Sequence, residues 1–215
     1  MTIDAKICGL ATAEAVDAAA AGGARYIGLN FYPKTPRYVA PAVAAGLAAR
    51  CPERVGKVGL FVDAPDDYIA GVLAEVRLDV LQLHGGEPPD RVAAIRRRFG
   101  LPVMKAVKIA DAADVANAET YEPVADMLLF DAKPPAAMTD ALPGGNALAF
   151  DWRLLAGRTW RVPWLLSGGL HAENVAAAVR ATGAAAVDVS SGVESAPGAK
   201  EPAKIRAFLA AVQGI

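Results

Sequence analysis

Short apolar runs alternate with alanine-rich stretches of helical spacing along the whole chain. Runs rich in Val, Ile, Leu or Phe begin near Ala5, Arg25, Lys57, Asp79, Pro102, Ala125, Val162 and Ala185. Each is short enough for a strand buried on both faces, where polar alternation disappears. Between them the pattern predicts helices over 12–22, 41–50, 65–77, 88–99, 111–119, 151–156, 172–182 and 201–213. Pro41, Pro65, Pro88 and Pro202 suit first helical turns, where a missing N–H is harmless. Gly22, Gly100 and Gly183 suit helix ends.

Eight β-then-α units with no linker between them predict an α/β protein with a parallel sheet and helical crossovers. A doubly wound sheet uses the same units. Eight of them within 215 residues favour closure into a single (β/α)₈ TIM barrel over 1–215, with no room for a second domain. The longest departure, 132–150, is rich in Gly and Pro and follows the sixth strand. On a barrel it becomes a βα loop on the face where active sites form.

Composition narrows the field. Apolar residues make up 54% of the chain, which argues for a large core. A formal net charge of −1 gives no electrostatic case for a nucleic-acid or anionic-membrane partner. The cluster Arg96-Arg97-Arg98 ends a helical pattern before Gly100 and suits a helix C-terminus. Two cysteines, Cys8 and Cys51, lack both a disulfide framework and metal-ligand spacing. With no signal-peptide pattern at the start and no apolar run of membrane-spanning length, a cytoplasmic location is expected.

Polar residues end several of the apolar strands. Residues two apart on a strand share a face, so Lys6 sits with Cys8, Gln82 with His84, Leu129 with Asp131, and Asp188 with Ser190. With those faces turned into a barrel mouth, Cys8, His84, Lys105, Asp131 and Asp188 converge on one pocket. Singly, each has a plain structural reading. A strand-end cysteine is a small buried hydrophobe, an aspartate caps a turn, and His84 beside Gly85-Gly86 bonds loop backbone. Those readings do not explain five together. Cys51, beside Pro52, reads as structural.

Glycines form a second constellation. Ser167-Gly168-Gly169-Leu170 follows the seventh strand, and Ser190-Ser191-Gly192-Val193-Glu194 follows the eighth. Paired glycines let backbone N–H groups approach an anion, and these two loops are where barrels commonly hold a phosphate. Alone, either is only a tight turn.

In this order the segments resemble phosphoribosylanthranilate isomerases along nearly the whole chain. The matching segments are Lys6-Ile7-Cys8-Gly9, Gly28-Leu29-Asn30-Phe31, Pro36-Arg37-Tyr38-Val39, Gly59-Leu60-Phe61-Val62 and Leu81-Gln82-Leu83-His84-Gly85. Leu129-Phe130-Asp131, Phe150-Asp151-Trp152, the Ser167–Leu170 turn with Asn174-Val175, and Val187–Glu194 complete them. The resemblance implies the Amadori rearrangement of tryptophan biosynthesis, with Cys8 as general base and Asp131 as general acid. It implies that Arg37 grips the anthranilate carboxylate, and that Gly168, Gly169, Ser191 and Gly192 hold the ribose phosphate. Asp188 would lie near the ribose hydroxyls, and His84 faces the same substrate. Departures from the family pattern are Thr35 for serine, Ser167 for alanine, and Asn146-Ala147 for Thr-Gly.

The chemistry suits such residues. One acid and one base suffice to open an aldosylamine ring and move a proton, so no metal or cofactor is expected. Asp131 can serve as acid only if it carries its proton when the phosphosugar binds. A free thiol is mostly protonated at neutral pH, so Cys8 needs help. Lys6 either stabilises the thiolate or fills the barrel mouth and meets a carboxylate. Arg37 offers a planar fork to a carboxylate, or is a surface arginine after a Pro turn. Competing readings are another phosphosugar-barrel isomerase, indole-glycerol-phosphate synthase, and a non-catalytic phosphate-ligand binder. The related isomerase of histidine biosynthesis carries aspartate where this chain has Cys8, and the synthase needs an N-terminal extension. Monomer and homodimer both remain open.

Overall fold

Each apolar run hydrogen-bonds to the next in chain order and the last returns to the first, closing the sheet into an eight-stranded barrel. The computed structural model describes residues 2–135, 137–138 and 142–215. The strands are β1 (Asp4–Cys8), β2 (Tyr26–Asn30), β3 (Gly56–Phe61), β4 (Val80–Leu83), β5 (Val103–Ile109), β6 (Met127–Ala132), β7 (Trp164–Leu166) and β8 (Ala186–Val189). Every neighbouring pair is parallel, including β1 with β8. Outside them pack α1 (Ala13–Ala21), α2 (Pro41–Arg50), α3 (Asp66–Glu75), α4 (Pro89–Phe99), α5 (Ala112–Ala118), α6 (Val175–Thr182) and α7 (Pro202–Gln213). No helix among the described residues is long and apolar enough to cross a membrane.

The expected helix over 151–156 is a single 3₁₀ turn, Trp152–Leu155. Six residues are too few to sustain α-helical bonding once Asp151 has capped the turn through Arg153 N. Pro41 and Pro202 occupy first turns as expected, whereas Pro65 and Pro88 stand one step earlier, as caps. Gly100 and Gly183 end α4 and α6 in the left-handed conformation. Of the expected 132–150 loop, residues 136 and 139–141 lie outside the described residues.

The barrel has two cores. Val58, Val80, Met104, Ala106, Leu129 and Leu165 plug its interior. The opposite faces of the strands pack against the helices, where Phe31 stacks on Phe61 and Phe130 meets Trp160 and Trp164. Residues of the interior parity that lie beyond the plug reach the open mouth. This parity selects the site.

A short hairpin, β9 (Glu194–Ala196) with β10 (Ala199–Lys200), is inserted between β8 and α7. It folds back against the segment that follows β2. Gly198 there has φ +84 and lies against the Pro36 carbonyl, so the hairpin touches the segment that carries Arg37.

Candidate active site

Cys8, Arg37, His84, Asp131 and Asp188 line one pocket at the C-terminal ends of the strands. The predicted convergence therefore holds for Cys8, His84, Asp131 and Asp188, and Arg37 joins them from the segment after β2. It fails for Lys105. On β5 the inward residues are Met104 and Ala106, so Lys105 points to the helix side. Its ammonium donates to Gly85 O at 2.8 Å and to Glu87 Oε2 at 2.7 Å, both outside the pocket. Glu87 in turn accepts from Asp63 N and Gly85 N. The pair holds the loop that carries His84.

Lys6 is fully buried below the mouth, and its Nζ lies 2.7 Å from Asp188 Oδ1. Both expected roles are present: Lys6 meets a carboxylate, and it also favours the Cys8 thiolate. Burial opposes the Lys6 charge, but Asp188 and Cys8 outweigh it and hold the ammonium above its ordinary pKa. Burial dominates at Cys8 and pushes the thiol up, against the pull of Lys6 and with the help of Asp188. Both groups rest against Gly28: a Cβ there would stand 2.8 Å from Cys8 Sγ and 3.2 Å from Lys6 Nζ. Ser167 Oγ donates to the second oxygen of Asp188 at 3.1 Å, so both oxygens are anchored while each keeps accepting capacity toward the pocket.

His84 bridges Gln82 and Asp131. Its Nδ1 lies 2.7 Å from Gln82 Nε2, and its Nε2 lies 3.2 Å from Asp131 Oδ2. Both ring nitrogens are thus engaged by protein groups. Gln82 Oε1 is buried without a partner among the described residues. The two orientations of this amide place the proton differently. With N–H₂ toward Nδ1, the ring carries its proton on Nε2 and donates to Asp131. With oxygen toward Nδ1, the ring proton sits there and Nε2 accepts, so a protonated Asp131 becomes the donor.

Arg37 is 4% exposed and makes a two-pronged bond to Glu194, from Nε and Nη2, at 2.8 Å each. Nη2 also donates to Gly145 O at 3.0 Å. Nη1 is buried with no partner among the described residues. The reading of Arg37 as a surface residue is therefore overturned.

The two glycine loops press on each other. Gly168 and Gly169 have φ +85 and +65, which side chains rarely adopt. A Cβ on Gly168 would stand 2.9 Å from Ala132 N. Gly192 packs directly on the Leu170 carbonyl and stands behind the pocket wall, which Ser191 and the two earlier glycines form. The N–H groups of Gly169 and Gly192 meet no acceptor among the described residues.

A family model described as N-(5'-phosphoribosyl)anthranilate (PRA) isomerase matches residues 5–211. The chain belongs to the phosphoribosylanthranilate isomerase family. The N-(5'-phosphoribosyl)anthranilate isomerase of Rhodospirillum centenum is 59% identical over 210 residues, covering 98% of each chain. That of Paramagnetospirillum magneticum is 58% identical, covering 100% of this chain and 99% of its own. The crystal structure of the Thermotoga maritima phosphoribosyl anthranilate isomerase aligns with a TM-score of 0.88 at 35% identity, covering 100% of both chains. A phosphoribosyl anthranilate isomerase solved with reduced 1-(o-carboxyphenylamino)-1-deoxyribulose 5-phosphate aligns at 0.84 and 33% identity, again over 100% of both.

Departures from the phosphoribosylanthranilate isomerase pattern now have structural content. Ser167 supplies the hydroxyl on Asp188 that an alanine lacks. Thr35 Oγ1 accepts from Arg37 N at 3.4 Å, a bond that serine can also make. Asn146 closes its loop by accepting from Leu142 N and donating to Leu142 O, at 2.9 and 2.7 Å. Ala147 has φ +56, a conformation that favours glycine. Glu194 closes the segment after the eighth strand, but nothing in that segment gives its role, and Lys200 and the hairpin carry no signal that strand-end residues offer.

Proposed function

We propose that this chain converts N-(5-phosphoribosyl)anthranilate to 1-(2-carboxyphenylamino)-1-deoxyribulose 5-phosphate in tryptophan biosynthesis, with Asp131 as acid and Cys8 as base. Asp131 gives its proton to the ribose ring oxygen. The C1′–O bond breaks, and the amine lone pair forms the C1′=N bond of a Schiff base. Cys8, as thiolate, takes the C2′ proton. The electrons left behind form the C1′=C2′ bond and return the C1′=N pair to nitrogen, giving an enolamine. The enolamine then ketonises, losing its hydroxyl proton and gaining one at C1′. The product is an isomer, and nothing else is consumed.

The observation that carries this reading is that Cys8 and Asp131, from β1 and β6, line one pocket with Arg37. His84 Nε2, 3.2 Å from Asp131 Oδ2, orients that carboxyl in the pocket. Arg37 faces the anthranilate carboxylate through Nη1. Gly168, Gly169 and Ser191 receive the phosphate, Gly192 sets the loop behind them, and Asp188 meets the ribose. His84 acts through Asp131 rather than by gripping substrate.

The test is single-turnover kinetics on freshly made phosphoribosylanthranilate, followed by the loss of anthranilate-type fluorescence. Cys8→Ser and Asp131→Asn should each slow the reaction by about 10²–10⁴-fold. Deuterium at C2′ should slow Cys8→Ser further, whereas ring opening should limit Asp131→Asn and hide the isotope. Near-wild-type turnover by Cys8→Ser would remove the base assignment and make His84 the next candidate.

A further inference from the structure

We propose that Glu194 and Lys200 are positioning residues for Arg37, which together aim its free edge into the pocket and keep the cluster cationic. The site is thereby built to take an aryl carboxylate. This inference rests on the reading of Arg37 as the carboxylate ligand.

A guanidinium offers five N–H groups in a rigid fork. Glu194 occupies the edge formed by Nε and Nη2, and Gly145 O takes the remaining Nη2 hydrogen. What is left is Nη1, buried and unpartnered among the described residues. Leaving a buried charged donor unpaired is costly, and an incoming carboxylate removes that cost. The backbone crowds the same atom without capping it: a Cβ on Gly145 would stand 2.6 Å from Nη1. The fork is thus bonded at Nε and Nη2 and unbonded at Nη1.

Charge explains the lysine. An Arg37–Glu194 pair alone is neutral, and a substrate carboxylate would meet Glu194 repulsion along with Arg37 attraction. Lys200 adds a second cation, with Nζ 2.7 Å from Glu194 Oε1, and leaves one net positive charge. Its side chain is 1% exposed, so solvent screens this charge little. Lys200 also donates to Ser190 O and Oγ at 2.8 and 3.1 Å, which fixes it without a second anion. Lys204 Nζ holds Glu194 O at 2.8 Å and pins the backbone of the clamp. The hairpin β9–β10 exists in this arrangement to bring Glu194 and Lys200 face to face over Arg37.

A merely structural role predicts something else, namely that Lys200 seals the hairpin and any change weakens every ligand alike. Two probes separate these. One is reduced 1-(o-carboxyphenylamino)-1-deoxyribulose 5-phosphate, and the other is its phenylamino counterpart without the carboxyl. Lys200→Met should weaken the carboxylated probe by about tenfold or more, as expected for a lost buried charge, and the other by less than about twofold. Substrate KM should rise while kcat changes little, and Lys200→Arg should restore both. Lys200→Gln, which keeps a hydrogen bond to Ser190, carries the same comparison if the methionine variant does not fold. Glu194→Gln raises the net positive charge, yet should also weaken the carboxylated probe because the fork is no longer held. Tighter binding by that variant overturns the positioning role, and equal weakening of both probes by Lys200→Met overturns the charge role. Arg37→Ala is the control for the underlying reading. If it alone abolishes discrimination between the probes, the inference fails and the reading stands; if it leaves discrimination intact, the reading fails.

Discussion

Lys6 gives its ammonium to Asp188 at 2.7 Å, although it shares a strand face with Cys8 and both rest against Gly28. The cation placed to favour a thiolate is therefore mostly spent on a carboxylate. Burial raises the Cys8 pKa, Lys6 lowers it only in part, and Asp188 raises it again. A base whose pKa lies above the ordinary thiol value of 9.0 gains its active form only as pH rises. We expect kcat/KM to climb through neutral pH without a plateau before the alkaline range. Asp188→Asn removes one negative charge and frees Lys6, so the rising limb should move to lower pH even where kcat falls. A limb that stays in place would show that the titrating group is not Cys8.

Gly28→Ala tests the same corner by sterics. The added methyl would press on Cys8 Sγ at 2.8 Å, on Cys8 Cα at 3.1 Å and on Lys6 Nζ at 3.2 Å. Overpacking of this kind costs about 1–3 kcal/mol of stability. Activity should fall much further than stability, because the displaced atom is the base. Matched losses in denaturation midpoint and kcat would argue that Sγ is not held in place by Gly28.

How much of this was legible in the chain depends on parity. Lys6, Cys8, His84, Asp131 and Asp188 could be paired because each sits two positions from another informative residue. Lys105 could not, since β5 carries one lysine on each face, Lys105 and Lys108, and no alternation shows which side is inward. Arg37 and Glu194 are 157 positions apart, and nothing local announces their bond. The expected helix over 151–156 is a single 3₁₀ turn, because a six-residue apolar and basic stretch shows spacing but not whether helical bonding can be sustained.

Acid stability should report on Glu87 and Glu194. Burial raises both carboxyls, but Lys105 at Glu87, and Arg37 with Lys200 at Glu194, outweigh it and hold them below the ordinary 4.5. A depressed folded pKa contributes stability that is present above the unfolded value and lost as pH falls through the folded one. Glu87→Gln should therefore destabilise by about 3–5 kcal/mol at neutral pH, the range for breaking a buried pair. The gap to the parent protein should close as pH drops below the carboxylate range. A constant gap measured by denaturant midpoints down to pH 3 would show that the charge contributes nothing.

The last prediction concerns the loop over the pocket. Gly144 lies against the His84–Asp131 pair, where a Cβ would stand 2.7 Å from His84 Nε2 and 3.0 Å from Asp131 Oδ2. Gly145 lies against Arg37, so the loop covers both ends of the site at once. Ala147 follows at φ +56, a left-handed conformation that costs an alanine roughly 1–2 kcal/mol. Ala147→Gly removes that strain from the covering conformation. It also gives the uncovered loop more freedom, an offset of about 0.5–1 kcal/mol. The net gain spans about 0–1.5 kcal/mol and centres on about 0.75, equivalent to a three- to fourfold change in an equilibrium constant, and it favours the covering form. The reduced product analogue should bind the glycine variant more tightly by that factor. Where product release limits turnover, kcat should fall in step while single-turnover chemistry is unchanged. Weaker binding by the glycine variant would mean that the loop uncovers the pocket when ligand is bound, and that the strain at Ala147 belongs to the empty protein.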